Sequence, residues 1–237
     1  MQATGNNSLY RYRMSIRVLA DGFSLYIYNV GDGSILQQEN YVIPFGHDMA
    51  DVMAKVLDRP RMMEYRFAQV ELSTDTPTTY IPLEEFRREE IGALYRTVFS
   101  EEKVSDEDVQ YEILKKLEVV ELYQLDKKVK EVLEERFDQV GFHAFQGQIL
   151  EKGRGCDMVC YVEDAKILVG VYSKGHLVHA CEYPATCDAD RLYYILYLWK
   201  VLGMNSQKQS CSLCKSSASL QKDLKQFLPH VQTLELD

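Results

Sequence analysis

The pattern with most chemical potential is Cys211-Ser212-Leu213-Cys214. Four further cysteines, Cys156, Cys160, Cys181 and Cys187, share roughly the last third of the chain. A redox pair of this spacing places its first thiol at a helix N-terminus, which lowers the thiol pKa. Here Cys214 falls near the start of a predicted helix and Cys211 lies in a predicted strand, so the setting is only half suitable. A zinc centre needs two more ligands. His176 and His179 are the candidates, but residues three apart on a strand point to opposite faces, and no second Cys-x-x-Cys exists. Free thiols in a strand core fit a chain of 237 residues, which can bury a core without disulfides. Hydrolase chemistry is not indicated, because there is no Gly-x-Ser-x-Gly elbow and the five histidines are scattered. The doubled carboxylates Glu84-Glu85, Glu89-Glu90, Glu101-Glu102 and Glu134-Glu135 fall on predicted helix faces or loops, where solvation accounts for them. Tyr193, Tyr194 and Tyr197 share one predicted helix and read as packing, with exposed rings available to an interface.

The composition is that of a globular protein, 46% apolar and 27% charged. A net charge of −9 argues against gripping a phosphate backbone, so no nucleic-acid partner is expected. The same charge leaves neutral or basic proteins open as partners. No apolar run reaches membrane-spanning length, and the first residues lack a basic-then-apolar signal. The expectation is a cytoplasmic protein without direct membrane insertion.

The elements that would position any site are strand meanders. Met158–Val162, Lys166–Tyr172 and Leu177–Tyr183 read as three strands joined by tight turns at Glu163-Asp164 and Ser173-Lys174-Gly175. Met14–Ala20, Phe23–Val30 and Ser34–Ile43 read the same way, with turns at Asp21-Gly22 and Gly31-Asp32-Gly33. Later elements are predicted as a helix over 47–57, a strand over 67–72, a short strand at 80–81, one amphipathic helix over 83–99, and strands over 109–114 and 118–125. Asp126 caps a helix to Phe137, and 140–145 is a strand. Gly147–Lys152 is a short helix, and Gly153-Arg154-Gly155 forms a permissive hinge. Asp188 caps a helix to Leu202, 207–213 is a strand, Ser217 or Ser219 opens a helix to Leu228, and 231–236 is the last strand.

An offset of 142 superposes the meanders, carrying Leu25 onto Ile167, Ile27 onto Val169, Gly33 onto Gly175 and Tyr41 onto Tyr183. Each meander is followed by helix, strand, helix and strand, so both halves read βββαβαβ, an internal duplication. The halves span 14–152 and 156–237, with an insertion of about 75–116 in the first. A doubled unit of this order resembles the actin-like ATPases, which are built from two ribonuclease-H-like halves. The chain from about Ser15 resembles more closely an uncharacterised bacterial family with a degenerate actin-like ATPase fold, whose first strand is like Ser15-Ile16-Arg17-Val18 and runs into Asp21-Gly22-Phe23-Ser24. It is also similar to the cytoplasmic actin-like proteins of pilus assembly and type II secretion.

That resemblance implies phosphate-binding turns in each meander, made of glycine-permitted backbone N–H groups, hydroxyls and a carboxylate near a metal. At the first turn Asp21, Gly22 and Ser24 match in type, but the spacing is one residue short and Phe23 intrudes. At the second, Glu163-Asp164-Ala165-Lys166 has no glycine, and its two carboxylates would need a divalent cation to tolerate a polyanion. The adenosine-side loop would fall at Cys211–Ser217, again without glycine. The expectation is a pseudo-ATPase that has no cofactor and acts by binding an unidentified protein, with the insertion as its partner surface. The alternative is binding of ATP with magnesium by Asp21, Gly22, Ser24, Glu163, Asp164 and Lys166. A zinc or thiol-redox protein is a third reading.

Overall fold

The computed structural model describes residues 11–100 and 104–235. In chain order, β1 (Tyr12–Leu19), β2 (Gly22–Asn29) and β3 (Ile35–Val42) are followed by α1 (Met49–Leu57), α2 (Pro60–Met63) and β4 (Phe67–Thr74). Next come β5 (Thr79–Pro82), α3 (Ile91–Val98), β6 (Val109–Leu114), β7 (Val119–Gln124), α4 (Lys127–Glu134), β8 (Val140–Ala144) and α5 (Phe145–Gly153). The chain continues through β9 (Met158–Val162), β10 (Lys166–Ser173), β11 (His176–Pro184), α6 (Asp188–Val201), β12 (Cys211–Cys214), α7 (Ala218–Leu224) and β13 (Val231–Thr233). No helix among the described residues is long and apolar enough to cross a membrane.

Two five-stranded sheets share one strand order. The first is β3-β2-β1-β4-β8 and the second β11-β10-β9-β12-β13. In each, the meander strands pair antiparallel, and the first strand pairs parallel with the strand that follows the next helix. The second hairpin of each meander turns at a glycine in the left-handed region, Gly33 at φ +70 and Gly175 at φ +84, a conformation that suits a residue without Cβ. A third sheet, ordered β5-β7-β6, takes up the strands between β4 and α4. It includes β7, so the added strands run through Gln124, beyond the expected end of the insertion near 116.

The described residues form two compact units. One comprises the described residues up to Pro77 with Glu90–Gln110 and Tyr123–Phe145; the other comprises Thr78–Glu89, Tyr111–Leu122 and the chain from Gln146. The first has a core of Met14, Ile16, Leu25, Ile27, Met53, Leu72 and Leu133 beside its sheet. The second buries Met158, Ile167, Val169, Ile195, Trp199, Leu213 and Leu224. Gly153, expected in a hinge, closes α5 instead; a Cβ there would meet Val159 Cγ1 at 2.6 Å, so the glycine serves close packing.

Several local expectations are corrected. The helix expected over 83–99 breaks into two 3-10 turns, Leu83–Glu85 and Arg88–Glu90, before α3, because Phe86 is extended at ψ 130 and its ring lies tilted against Tyr111 at 5.0 Å. Tertiary packing outweighs helix propensity there. Asp188 is the first residue of α6 rather than its cap, and Cys187 holds the cap position without a side-chain bond. Ser217, not Ser219, caps α7, accepting a bond from the Leu220 N–H at 3.0 Å. The strand expected over 207–213 is confined to Cys211–Cys214, since Asn205–Gln209 closes into a turn through the Gln209 N–H to Asn205 O bond. Cys214 consequently lies within that strand and not at a helix start. β13 is likewise shorter than expected, ending at Thr233, and residue 236 of the expected strand is outside the described residues.

Candidate functional site

The first candidate turn joins β1 to β2 in the first unit. Leu19 pairs with Gly22, leaving Ala20 and Asp21 as a two-residue hairpin tip. Asp21 is exposed, and its carbonyl accepts the Ile43 N–H at 2.8 Å. Gly22 is buried beneath β3; a Cβ there would stand 1.9 Å from the Tyr41 carbonyl oxygen. This glycine permits β3 to approach, and its φ is outside the left-handed region. Phe23 stacks on Tyr41 at 4.8 Å, and Ser24 is buried between its strand partners Arg17 and Asn40. Asp21, Gly22 and Ser24 are thus neighbours, but only Asp21 reaches solvent.

The second candidate turn joins β9 to β10 in the second unit. The Glu163 N–H donates to the Lys166 carbonyl at 3.0 Å, closing the turn on itself. Arg191 of α6 then donates from Nη2 to the carbonyls of Glu163 at 2.8 Å and Asp164 at 3.1 Å. Its Nη1 donates to Asp188 Oδ1 at 2.9 Å, and Ser217 Oγ donates to Asp188 Oδ2 at 2.6 Å. The Ser217 bond, with Arg191 beside it, holds the Asp188 carboxyl below its usual range. Lys166 Nζ contacts Glu182 at 2.7 Å and Glu163 at 3.6 Å, so its charge is matched internally. Asp164 is exposed. The structure brings Glu163 and Lys166 together with Glu182, and the turn shows carbonyl oxygens to a guanidinium where a phosphate loop would show N–H groups to an anion.

Behind this turn lies a polar group that the sequence reading missed. Gln146 Nε2 donates to Glu182 Oε1 at 3.1 Å. Tyr80 donates its hydroxyl proton to Glu121 Oε1 at 3.0 Å, and Glu121 is wholly buried. Burial, with Glu112 and Glu182 acting the same way, raises the Glu121 carboxyl well above its ordinary range. The available signal was one carboxylate inside the apolar run Val119-Val120-Glu121-Leu122-Tyr123. Arg191 had a weaker signal, an i+3 spacing from Asp188 on one helix face.

The first four residues of the adenosine-side stretch are strand core, while Lys215 and Ser217 are exposed. Cys211, Ser212, Leu213 and Cys214 are all buried. Cys160 Sγ and Cys211 Sγ lie 3.9 Å apart as free thiols. Burial raises Cys160 and pushes Cys214 up to about 11, away from thiolate chemistry. His176 pairs with Glu118 at 2.8 Å and His179 with the Tyr183 hydroxyl at 2.9 Å, so both histidines have other partners. In the first unit a groove of about 620 Å³ is lined by Tyr65, Arg66, Phe67, Arg136 and Phe137. It opens at the starts of β4 and β8, whereas Asp21 follows the end of the parallel strand β1. Arg136 is held there by a bidentate bond to Asp58, 2.9 Å on each arm.

The model of the family described as "Protein of unknown function (DUF3822)" matches residues 2–231. A search of curated proteins returns no match. Among solved structures, a Bacteroides thetaiotaomicron protein with actin-like ATPase fold and unknown function is similar at TM-score 0.75 and 25% identity, over 97% of this chain and 94% of that one. The ethanolamine utilization protein EutJ of Carboxydothermus hydrogenoformans gives TM-score 0.44 and 9% identity over 94% and 84%. A PilM-PilN type IV pilus biogenesis complex gives TM-score 0.42 and 11% identity over 94% and 88%. The chain has the actin-like ATPase fold, with ribonuclease-H-like sheets.

Proposed function

The chain belongs to the DUF3822 family, and on that premise we propose that it is a non-catalytic actin-like protein that works in the cytoplasm by binding another protein. The observation that carries this reading is the Glu163–Lys166 turn. Its carbonyls are taken by Arg191 and its lysine by Glu163 and Glu182. A phosphate entering there would face carbonyl dipoles of the wrong sign and would have to displace an internal ion network. At the other meander the glycine makes room for β3, since a Cβ there would stand 1.9 Å from the Tyr41 carbonyl oxygen. The repeated strand order and the matching left-handed glycines Gly33 and Gly175 support descent from a doubled unit whose fold is kept while its phosphate turns have other duties.

The proposed partner surface is the segment after β5. Glu84, Glu85, Arg87 and Arg88 are exposed there, together with Leu83 at 38% exposure. Phe86 packs at a tilt against Tyr111, and the Arg88 guanidinium lies 5.9 Å from the same ring, giving an aromatic centre rimmed by charge. The test is affinity capture from the native host with the full chain and with a Glu84→Ala, Arg87→Ala, Arg88→Ala variant. Loss of one specific co-purifying protein from the variant supports the surface, and unchanged recovery sinks it.

A further inference from the structure

The small sheet carries an acid whose setting is explained neither by a phosphate site nor by the partner surface. Glu121 stands mid-strand in β7 and is 0% exposed. Its cross-strand neighbour on β5 is Tyr80, whose hydroxyl donates to Oε1 at 3.0 Å and lies 3.2 Å from Thr78 Oγ1. Oε2 points at the Gly147 backbone in the first turn of α5 without a well-aligned hydrogen bond. A Cβ on Gly147 would come within 2.2 Å of that oxygen, so the approach requires glycine. All these residues belong to the second unit. One side chain therefore bonds β7 to β5 and packs closely on the start of α5.

We propose that Glu121 is a proton-operated latch, which as a neutral carboxyl fastens the β5-β7-β6 sheet to α5 and as a carboxylate releases it.

The charges around it favour the proton. Glu112 of β6 and Glu182 of β11 are both acidic and oppose ionisation. Lys166 of β10 is engaged by Glu182 and Glu163 rather than by Glu121. Tyr80 and the Gly147 N–H favour the anion but are outweighed by burial. A carboxyl whose folded pKa lies above its unfolded one stabilises fully at acid pH, and that stability is lost as pH rises through the folded value.

The experiment is hydrogen exchange on the full chain across mildly acid to mildly alkaline pH, corrected for intrinsic rates. Protection at Thr79–Pro82 and Val119–Leu122 is expected to fall by up to about tenfold per pH unit in the titration range, while β9 and β10 hold theirs. Glu121→Gln keeps the shape and removes the titration, so its protection there should be nearly flat with pH. The same pH profile in Glu121→Gln and wild type, or loss spread evenly into β9 and β10, overturns the latch. Isotope-edited infrared spectroscopy of the wild type keeps the question open to refutation if that variant fails to fold. A protonated-carboxyl band that fades in step with the loss of protection supports the latch, and its absence at mildly acid pH overturns it.

Discussion

The turn between β1 and β2 and the turn between β9 and β10 join corresponding strands in two sheets of the same order, yet they are held by opposite means. The first depends on a missing side chain: Gly22 lets the Tyr41 carbonyl come within contact of its backbone. The second has no glycine and depends on an added side chain, Arg191, which satisfies two turn carbonyls from a helix 27 and 28 residues away in sequence. In one, backbone approaches backbone; in the other, a cation replaces the dipoles that a phosphate would have needed. The difference teaches that a shared meander does not specify the chemistry of its turn. That chemistry is set by the residues that pack above it.

The comparison breaks most directly at Gly22. Gly22→Ala drives a Cβ into backbone that cannot yield, and should cost about 3 kcal/mol, within the range of severe strain effects, read as a lowered denaturation midpoint. Next in size is Arg191→Ala, which strands the Glu163 and Asp164 carbonyls and leaves the Asp188 carboxylate with Ser217 alone. It should cost about 2 kcal/mol, the scale of a lost charged hydrogen bond, measured by urea unfolding. The Asp188 link also carries a pH sign. Its carboxyl is held low by Ser217 and Arg191, so its stabilisation is present above the unfolded carboxylate pKa and is lost as pH falls through the folded one. Acid should therefore narrow the gap between wild type and Arg191→Ala, whereas the Glu121 contribution runs the other way. Where the two meanders agree they should also respond alike. Gly33→Ala and Gly175→Ala each force an alanine into the left-handed region and should cost about 1 kcal/mol, seen as matched drops in thermal midpoint. The smallest effect is expected at Asp21. Its side chain is exposed, and Asp21→Ala should shift stability by no more than about 0.5 kcal/mol.

Local signals carried the fold well. Asp-Gly and Gly-Asp-Gly between alternating runs located β1 to β3, and Ser-Lys-Gly located the β10–β11 turn, because turn chemistry is written in adjacent residues. The site was less legible for a physical reason. Arg191 acts on a turn distant in sequence, and Tyr80 reaches Glu121 across 41 positions, so neither contact leaves a local pattern. The segment over 83–99 shows the same limit: its periodicity suggested one helix, and the ring of Tyr111 took Phe86 out of it. Glycine was ambiguous in another way. Gly22 looked like a remnant of a phosphate turn, but the Tyr41 carbonyl gives it a packing duty that sequence spacing does not display.

On the proposed function, the fold persists without a working nucleotide site. The direct test is a thermal-unfolding titration of the full chain with millimolar ATP and magnesium, since a ligand that binds only the folded state raises the midpoint. No saturable shift is predicted for wild type or for Asp21→Ala. A saturable rise in wild type that disappears in Asp21→Ala would contradict the account and return Asp21, Ser24, Glu163 and Lys166 to a nucleotide-binding role.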